Sequence, residues 1–100
     1  MSTLYTINQS WHRMTWLFEQ VAFANKGDAI LLIEDGVLTI DSSTTLASFA
    51  AKSQAAGIAV FALREDAIAR GVGEPINGIE LIDVDGFVSL VAEHDKHVAW

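Results

Sequence analysis

The sequence predicts an α/β fold with three layers, α/β/α, in which helices cover both faces of a mostly parallel sheet of four to five strands. Four short apolar runs are nearly continuous instead of alternating, which is typical of parallel strands buried on both faces. Segments long enough for helices separate these runs, so right-handed crossovers are expected. The predicted strands are Leu4–Ile7, Ala29–Ile33, Ile58–Leu63 and Ile79–Ile82, with Val98–Trp100 as a possible fifth.

Capping residues and glycines place the helices between the strands. Ser10 can cap a first helix that runs to about Asn25, with Gly27 at its end. Ser or Asp residues also precede two of the later helical segments, and glycines follow two of them. The later helices are predicted at Thr44–Ala56 after Ser42 or Ser43, at Glu65–Ala69 before Gly71, and from about Asp85 to Glu93 with Asp83 as the cap.

Length and composition indicate one domain over residues 1–100. The chain is 51% hydrophobic and contains one proline, which is typical of a compact core. Its apolar runs are much shorter than the roughly 18 residues that a membrane span needs. The first residues lack the apolar stretch of a signal peptide. We therefore expect a soluble, cytoplasmic protein that does not bind a membrane.

The charge balance and the absence of cysteine exclude several functions. Thirteen acidic residues against six basic ones give a net charge of −7, and the basic residues are scattered. Direct binding of nucleic acid is disfavoured, because it requires a positive surface. With no cysteine, the chain itself can carry no disulfide, zinc thiolate site, thiol nucleophile or persulfide.

The end of the second strand, in "ILLIEDGV", carries two adjacent carboxylates, Glu34 and Asp35. Adjacent side chains on a strand diverge, so these two are poorly placed for general acid/base catalysis. We expect them to end the strand in solvent, with Asp35 and Gly36 forming the turn and one carboxylate pairing with Arg64. Because open α/β sheets bind ligands beyond the carboxyl ends of their strands, Asn8, Asp35 and Arg64 form a candidate strand-end cleft.

Cofactor and metal sites are not predicted. The first strand is followed by "NQSWHRM", which lacks the glycines of a phosphate-binding turn. His94 and His97 have helical spacing, but they fall where the last helix should end. A histidine is favoured there by the helix dipole without any metal.

The first helix carries a second apolar stripe. Trp16 and Phe23 fall opposite its main apolar face and are flanked by His12. Either the chain's own terminus covers this stripe, or another subunit does. We take His12, Trp16 and Phe23, together with Trp100, as a candidate subunit interface.

Four stretches in order resemble the TusB/DsrH family of small sulfur-relay subunits along nearly the whole chain. They are "LYTINQSW", "LIEDGV", "VFALREDAIARG" and "IELIDVDGFVSLVAEHDKHVAW". The resemblance implies a DsrE-like fold and a heterohexamer with two sister subunits, TusC and TusD, in two copies each. In such a relay TusA passes persulfide sulfur to a TusD cysteine and TusE receives it, on the way to 2-thiouridine at the tRNA wobble position.

Some DsrH members carry a cysteine, and this chain departs from them. The resemblance therefore implies a noncatalytic assembly subunit of the tRNA-thiolation branch. Two alternatives stay open. One is a DsrEFH-type subunit of sulfur oxidation, and the other is a self-associating small-ligand or regulatory domain that uses the strand-end cleft.

Overall fold

The computed structural model describes residues 2–9, 24–41, 50–72 and 79–99. Within these ranges the chain forms a five-stranded sheet in the order β4-β3-β2-β1-β5, and each adjacent pair is parallel. The strands are β1 (Thr3–Ile7), β2 (Ala29–Leu32), β3 (Ala59–Leu63), β4 (Ile79–Ile82) and β5 (Lys96–Ala99). The predicted parallel sheet is confirmed, and β1 to β4 lie within one residue of their predicted bounds.

The helices lie between these strands. A 3-10 helix, Glu34–Asp41, follows β2, and residues 50–55 are helical ahead of β3. Helix α1 (Arg64–Ala69) follows β3, and helix α2 (Val84–Glu93) follows β4. The 3-10 helix was not predicted, whereas α1 and α2 begin within one residue of their predicted starts. The predicted first helix up to residue 23 and the start of the second lie outside the described residues.

Strand order explains why helices cover both faces of the sheet. The steps from β1 to β4 all proceed in one direction, so right-handed crossovers place the described helical segments of these connections, the 3-10 helix, residues 50–55 and α1, on the same face. The step from β4 to β5 returns across the whole sheet, which puts α2 on the other face. We call these the α1 face and the α2 face. The core of the α1 face includes Ile7, Ile30, Leu32, Val60 and Ala67, and that of the α2 face includes Leu4, Ala29, Leu31 and Leu90.

Two helices end in the same glycine motif. Gly57 has a φ of 78°, and the amides of Gly57 and Ile58 donate to Gln54 O and Ser53 O. Gly71 has a φ of 66° after α1, and Val72 N donates in the same way to Ala67 O. This is the Schellman arrangement. The glycine adopts a left-handed conformation, which lets the amides after the helix donate to its last carbonyl oxygens. The prediction that Gly57 ends a helix is confirmed.

The region from α2 to β5 differs slightly from the prediction. Asp83 caps α2 as predicted, because its Oδ1 accepts a hydrogen bond from Gly86 N at 2.8 Å. The fifth strand begins at Lys96 instead of Val98. Its register is set by β1, where Thr3 pairs with Lys96, and Ser2 O accepts hydrogen bonds from both Asp95 N and Lys96 N.

A buried carboxylate links β1 to the turn before β2. Asp28 is 2% exposed. Its Oδ1 accepts from Thr3 N and its Oδ2 from Asn25 N, both at 2.8 Å. The two oxygens therefore each accept a hydrogen bond from a backbone amide, and the charge is stabilised by both bonds.

Candidate functional site

The carboxyl ends of β2 and β3 carry a small ionic network. Arg70, just after α1, donates from Nε to Asp35 Oδ1 at 3.0 Å, and its Nη1 lies 3.9 Å from Asp66 Oδ1. The Asp35 side chain is 64% exposed, so water screens the pair and its contribution is at most about 1 kcal/mol. The network mainly holds the 3-10 helix against α1.

Glu34 makes the turn after β2. It has a φ of 50°, in the left-handed region that costs a residue with a Cβ about 1–2 kcal/mol. Its amide donates to Asp66 Oδ2 at 2.7 Å, which offsets part of that cost. The expected turn at Asp35 and Gly36 is therefore wrong in detail.

Gly36 occupies a position where no side chain fits. A Cβ at this position would collide with the carbonyl oxygen of Ile7, and it would lie 3.6 Å from Asn8 N. Glycine thus lets the 3-10 helix pack directly over the end of β1. The amide of Ile33 also donates to Ile7 O, at 2.9 Å. As a result, backbone of the 3-10 helix lies directly against the end of β1.

Two more carboxylates at this edge accept hydrogen bonds from backbone amides at the start of α2. Asp83 caps the helix, and Glu65 Oε2 accepts from Val84 N at 3.2 Å. Helix N-terminal amides lack partners within the helix, so both contacts stabilise α2. No group of three His, Asp or Glu side chains arranged for a metal ion occurs within the described ranges. The acidic edge has the contacts of a structural region, in which carboxylates bind arginine or backbone amides.

The residues of the candidate strand-end cleft lie at the carboxyl ends of three strands. Asn8 follows β1 and Arg64 begins α1, and both are exposed. The predicted partner of the acidic pair is wrong, because Asp35 binds Arg70 and not Arg64. The two arginines are six positions apart, a rotation of about 240° along a helix, so they point to different sides of α1.

The connections change direction between β1 and β5, since β1 leads to β2 on one side while β5 lies on the other. Ligand crevices of open α/β sheets form at such a point. Asn8 borders it, whereas Asp35 and Arg64 follow β2 and β3. Topology therefore favours a crevice on the β5 side of Asn8 over one centred on Asp35. The role of all three residues stays a prediction.

The predicted subunit-interface residues, His12, Trp16, Phe23 and Trp100, lie outside the described residues. That interface therefore stays a prediction.

The two C-terminal histidines have separate structural contacts. His94 Nδ1 lies 2.7 Å from Leu90 O in the last turn of α2, which confirms its predicted place at the helix end. His97 Nε2 lies 3.0 Å from Thr6 Oγ1, joining β5 to β1. Such a pair resembles an activated hydroxyl, but Thr6 is 4% exposed, so a substrate has no access to it. The sequence analysis did not predict this contact. Its signal is that Thr6 is a polar residue within the apolar strand "LYTI".

Comparisons with known proteins agree with this architecture. The family model described as "DsrH like protein" matches residues 13–97. Protein TusB of Escherichia coli K12 is 40% identical over 94 residues, covering 89% of this chain and 95% of that protein. Protein TusB of Shigella flexneri is 39% identical with the same coverage. The chain belongs to the DsrH-like family, which includes the TusB proteins.

Two solved structures share the fold. The ychN protein from E. coli superposes with a TM-score of 0.69 and covers all of both chains. MTH1491, a protein of unknown function from Methanobacterium thermoautotrophicum, gives a TM-score of 0.77 and covers 99% of this chain and 98% of its own. Each is 13% identical to this chain, so the similarity concerns the fold alone. Among the described residues, no helix combines the length and apolar character needed to cross a membrane.

Proposed function

We propose that this chain is a noncatalytic subunit of a TusBCD-type sulfur-relay complex, acting in the formation of 2-thiouridine at the tRNA wobble position. The observation that carries the proposal is 40% identity to TusB over nearly the whole chain, in a sequence without cysteine. Persulfide chemistry requires a thiol. Sulfur therefore passes between cysteines of partner proteins, and this subunit contributes to assembly.

The proposed partners are TusC-like and TusD-like sister subunits, in a cytoplasmic heterohexamer with two copies of each chain. TusA and TusE contact the relay through the complex. The chain contributes one DsrE-like domain, with His12, Trp16, Phe23 and Trp100 at a subunit contact. The net charge of −7 supports a subunit that does not itself bind tRNA.

Native mass measurement tests this proposal. The chain is co-expressed with the two sister chains encoded in the same genome, and we expect a mass equal to two copies of each. The double variant Trp16→Ser/Phe23→Ser should release the partners while its far-UV circular dichroism is unchanged. Ile68→Ser, at a 70% exposed apolar residue of α1, is the matched control and should assemble normally.

Other outcomes separate the alternatives. A homo-oligomer that ignores both sister chains would contradict the relay proposal and favour a small-ligand or regulatory domain. A complex that supports sulfur oxidation but no tRNA thiolation would favour the DsrEFH-type function.

A further inference from the structure

Helix α2 is apolar over a wider arc than it buries. Leu90 is 8% exposed and packs on the sheet, whereas Val84, Val88 and Val91 are 49%, 63% and 43% exposed. Their spacing of four and three residues aligns these three residues along one flank of the helix, and we call them the valine stripe. Phe87, Val88, Val91 and Ala92 line an apolar groove of about 320 Å³ beside it.

The charged side chains of α2 and its two ends, over residues 83–95, all have the same sign. Residues 83–95 contain four carboxylates and no lysine or arginine. Asp83 and Asp85 lie at the start of α2, and Glu93 and Asp95 lie at its end. All four are exposed. An apolar centre with a charged rim is the usual composition of a protein contact surface.

The described helical layer that contains the valine stripe is narrower than the sheet. Among the described elements, α2 is the helix on its face of the five-stranded sheet, whereas residues 50–55 and α1 both lie against the other face. A helix is about 10 Å wide, and five strands span about 20–25 Å. Among the described residues, α2 by itself therefore does not cover the full width of this face.

We propose that the valine stripe is the docking site of a different protein chain, whose contact surface is apolar at its centre and carries lysine or arginine at its rim. The charges favour this partner over a second copy of the same chain. Two copies would set four carboxylates against the same four, and each chain already carries a net charge of −7. The proposal rests on the proposed function, because the occupant is then one of the sister subunits.

The first test uses Val88→Ser/Val91→Ser co-expressed with the two sister chains. Both valines are exposed, so the fold should survive, as far-UV circular dichroism will verify. We expect at least ten-fold weaker assembly, because each substitution removes apolar surface that the contact would bury. Ile68→Ser is again the matched control and should assemble like the wild type.

The second test concerns the rim. Asp85→Lys/Glu93→Lys should weaken assembly at least ten-fold at low salt, and the wild-type complex should weaken as salt rises. Glu34→Lys, at an exposed carboxylate on the 3-10 helix, is the charge control. A third measurement needs no variant, since amides of residues 84–92 should exchange hydrogen more slowly in the complex than in the isolated chain.

The outcomes distinguish this proposal from the one on which it rests. If the wild-type chain forms no complex with the sister chains, both proposals fail. If the complex forms but Val88→Ser/Val91→Ser assembles normally and exchange over 84–92 is unchanged, the docking proposal alone is overturned. A dimer of the isolated chain that this double variant abolishes would assign the stripe to a second copy and would also overturn it.

Discussion

Replacing Gly36 with alanine should strongly destabilise the protein. In an ordinary helical position this change would add up to about 1 kcal/mol of stability. Here the new Cβ meets the carbonyl oxygen of Ile7, a backbone atom that also accepts from Ile33 N. Overpacking typically costs about 1–3 kcal/mol, and a weakened backbone hydrogen bond adds about 1 kcal/mol. We expect a net loss of about 2–4 kcal/mol.

Thermal unfolding followed by circular dichroism measures this loss. A change of 1 kcal/mol shifts the Tm of a domain this size by about 4–8 °C, so Gly36→Ala should lower Tm by about 8–32 °C. Gly71 is the control, because its φ is 66° and a Cβ there meets no atom within 4 Å. Gly71→Asn should therefore cost little, since asparagine tolerates this conformation, whereas Gly36→Asn should be as harmful as alanine. A Gly36→Ala protein that melts at or above the wild-type temperature would refute the reasoning.

Two further substitutions test the polar contacts. Asp28→Ala removes the acceptor of two hydrogen bonds to a buried carboxylate, from the part-buried amides of Thr3 and Asn25, and should cost about 2–4 kcal/mol in urea unfolding; Asp28→Asn retains one acceptor and should cost about half as much. Equal losses for the two variants would contradict the two-bond arrangement. Arg70→Gln removes the exposed contact with Asp35 and should cost less than about 1 kcal/mol in the same assay, with the difference shrinking in 1 M salt. A loss above 2 kcal/mol would show that the ionic network is more than a surface feature.

The sheet could be predicted because its signals are local. Continuous apolar runs mark the parallel strands, and glycines mark the helix ends at Gly57 and Gly71. The capping role of Asp83 likewise depends on residues three positions away. Such features need no knowledge of the tertiary structure.

The errors concern contacts between distant residues. Glu34 takes a left-handed backbone that a glutamate does not favour by itself, and its bond to Asp66 spans 32 residues. The choice of Arg70 over Arg64 as the partner of Asp35 depends on how α1 is rotated against the 3-10 helix. The start of β5 is set by its register with β1.

The sequence also does not show which apolar residues of α2 are exposed. Phe87 and Leu90 are as apolar as Val84, Val88 and Val91, so the pattern alone does not show which of them face the sheet. Only the burial of Leu90 and the exposure of the valines separate the two sets.

The position of β5 beside β1 has a consequence for how the chain matures during synthesis. Thr3 pairs with Lys96, so one side of β1 stays an open edge until more than ninety further residues have been made. Contacts this distant in sequence form slowly, because a long loop must close first. A nascent chain therefore exposes one edge of β1 until β5 emerges. During that interval it depends most on protection from aggregation.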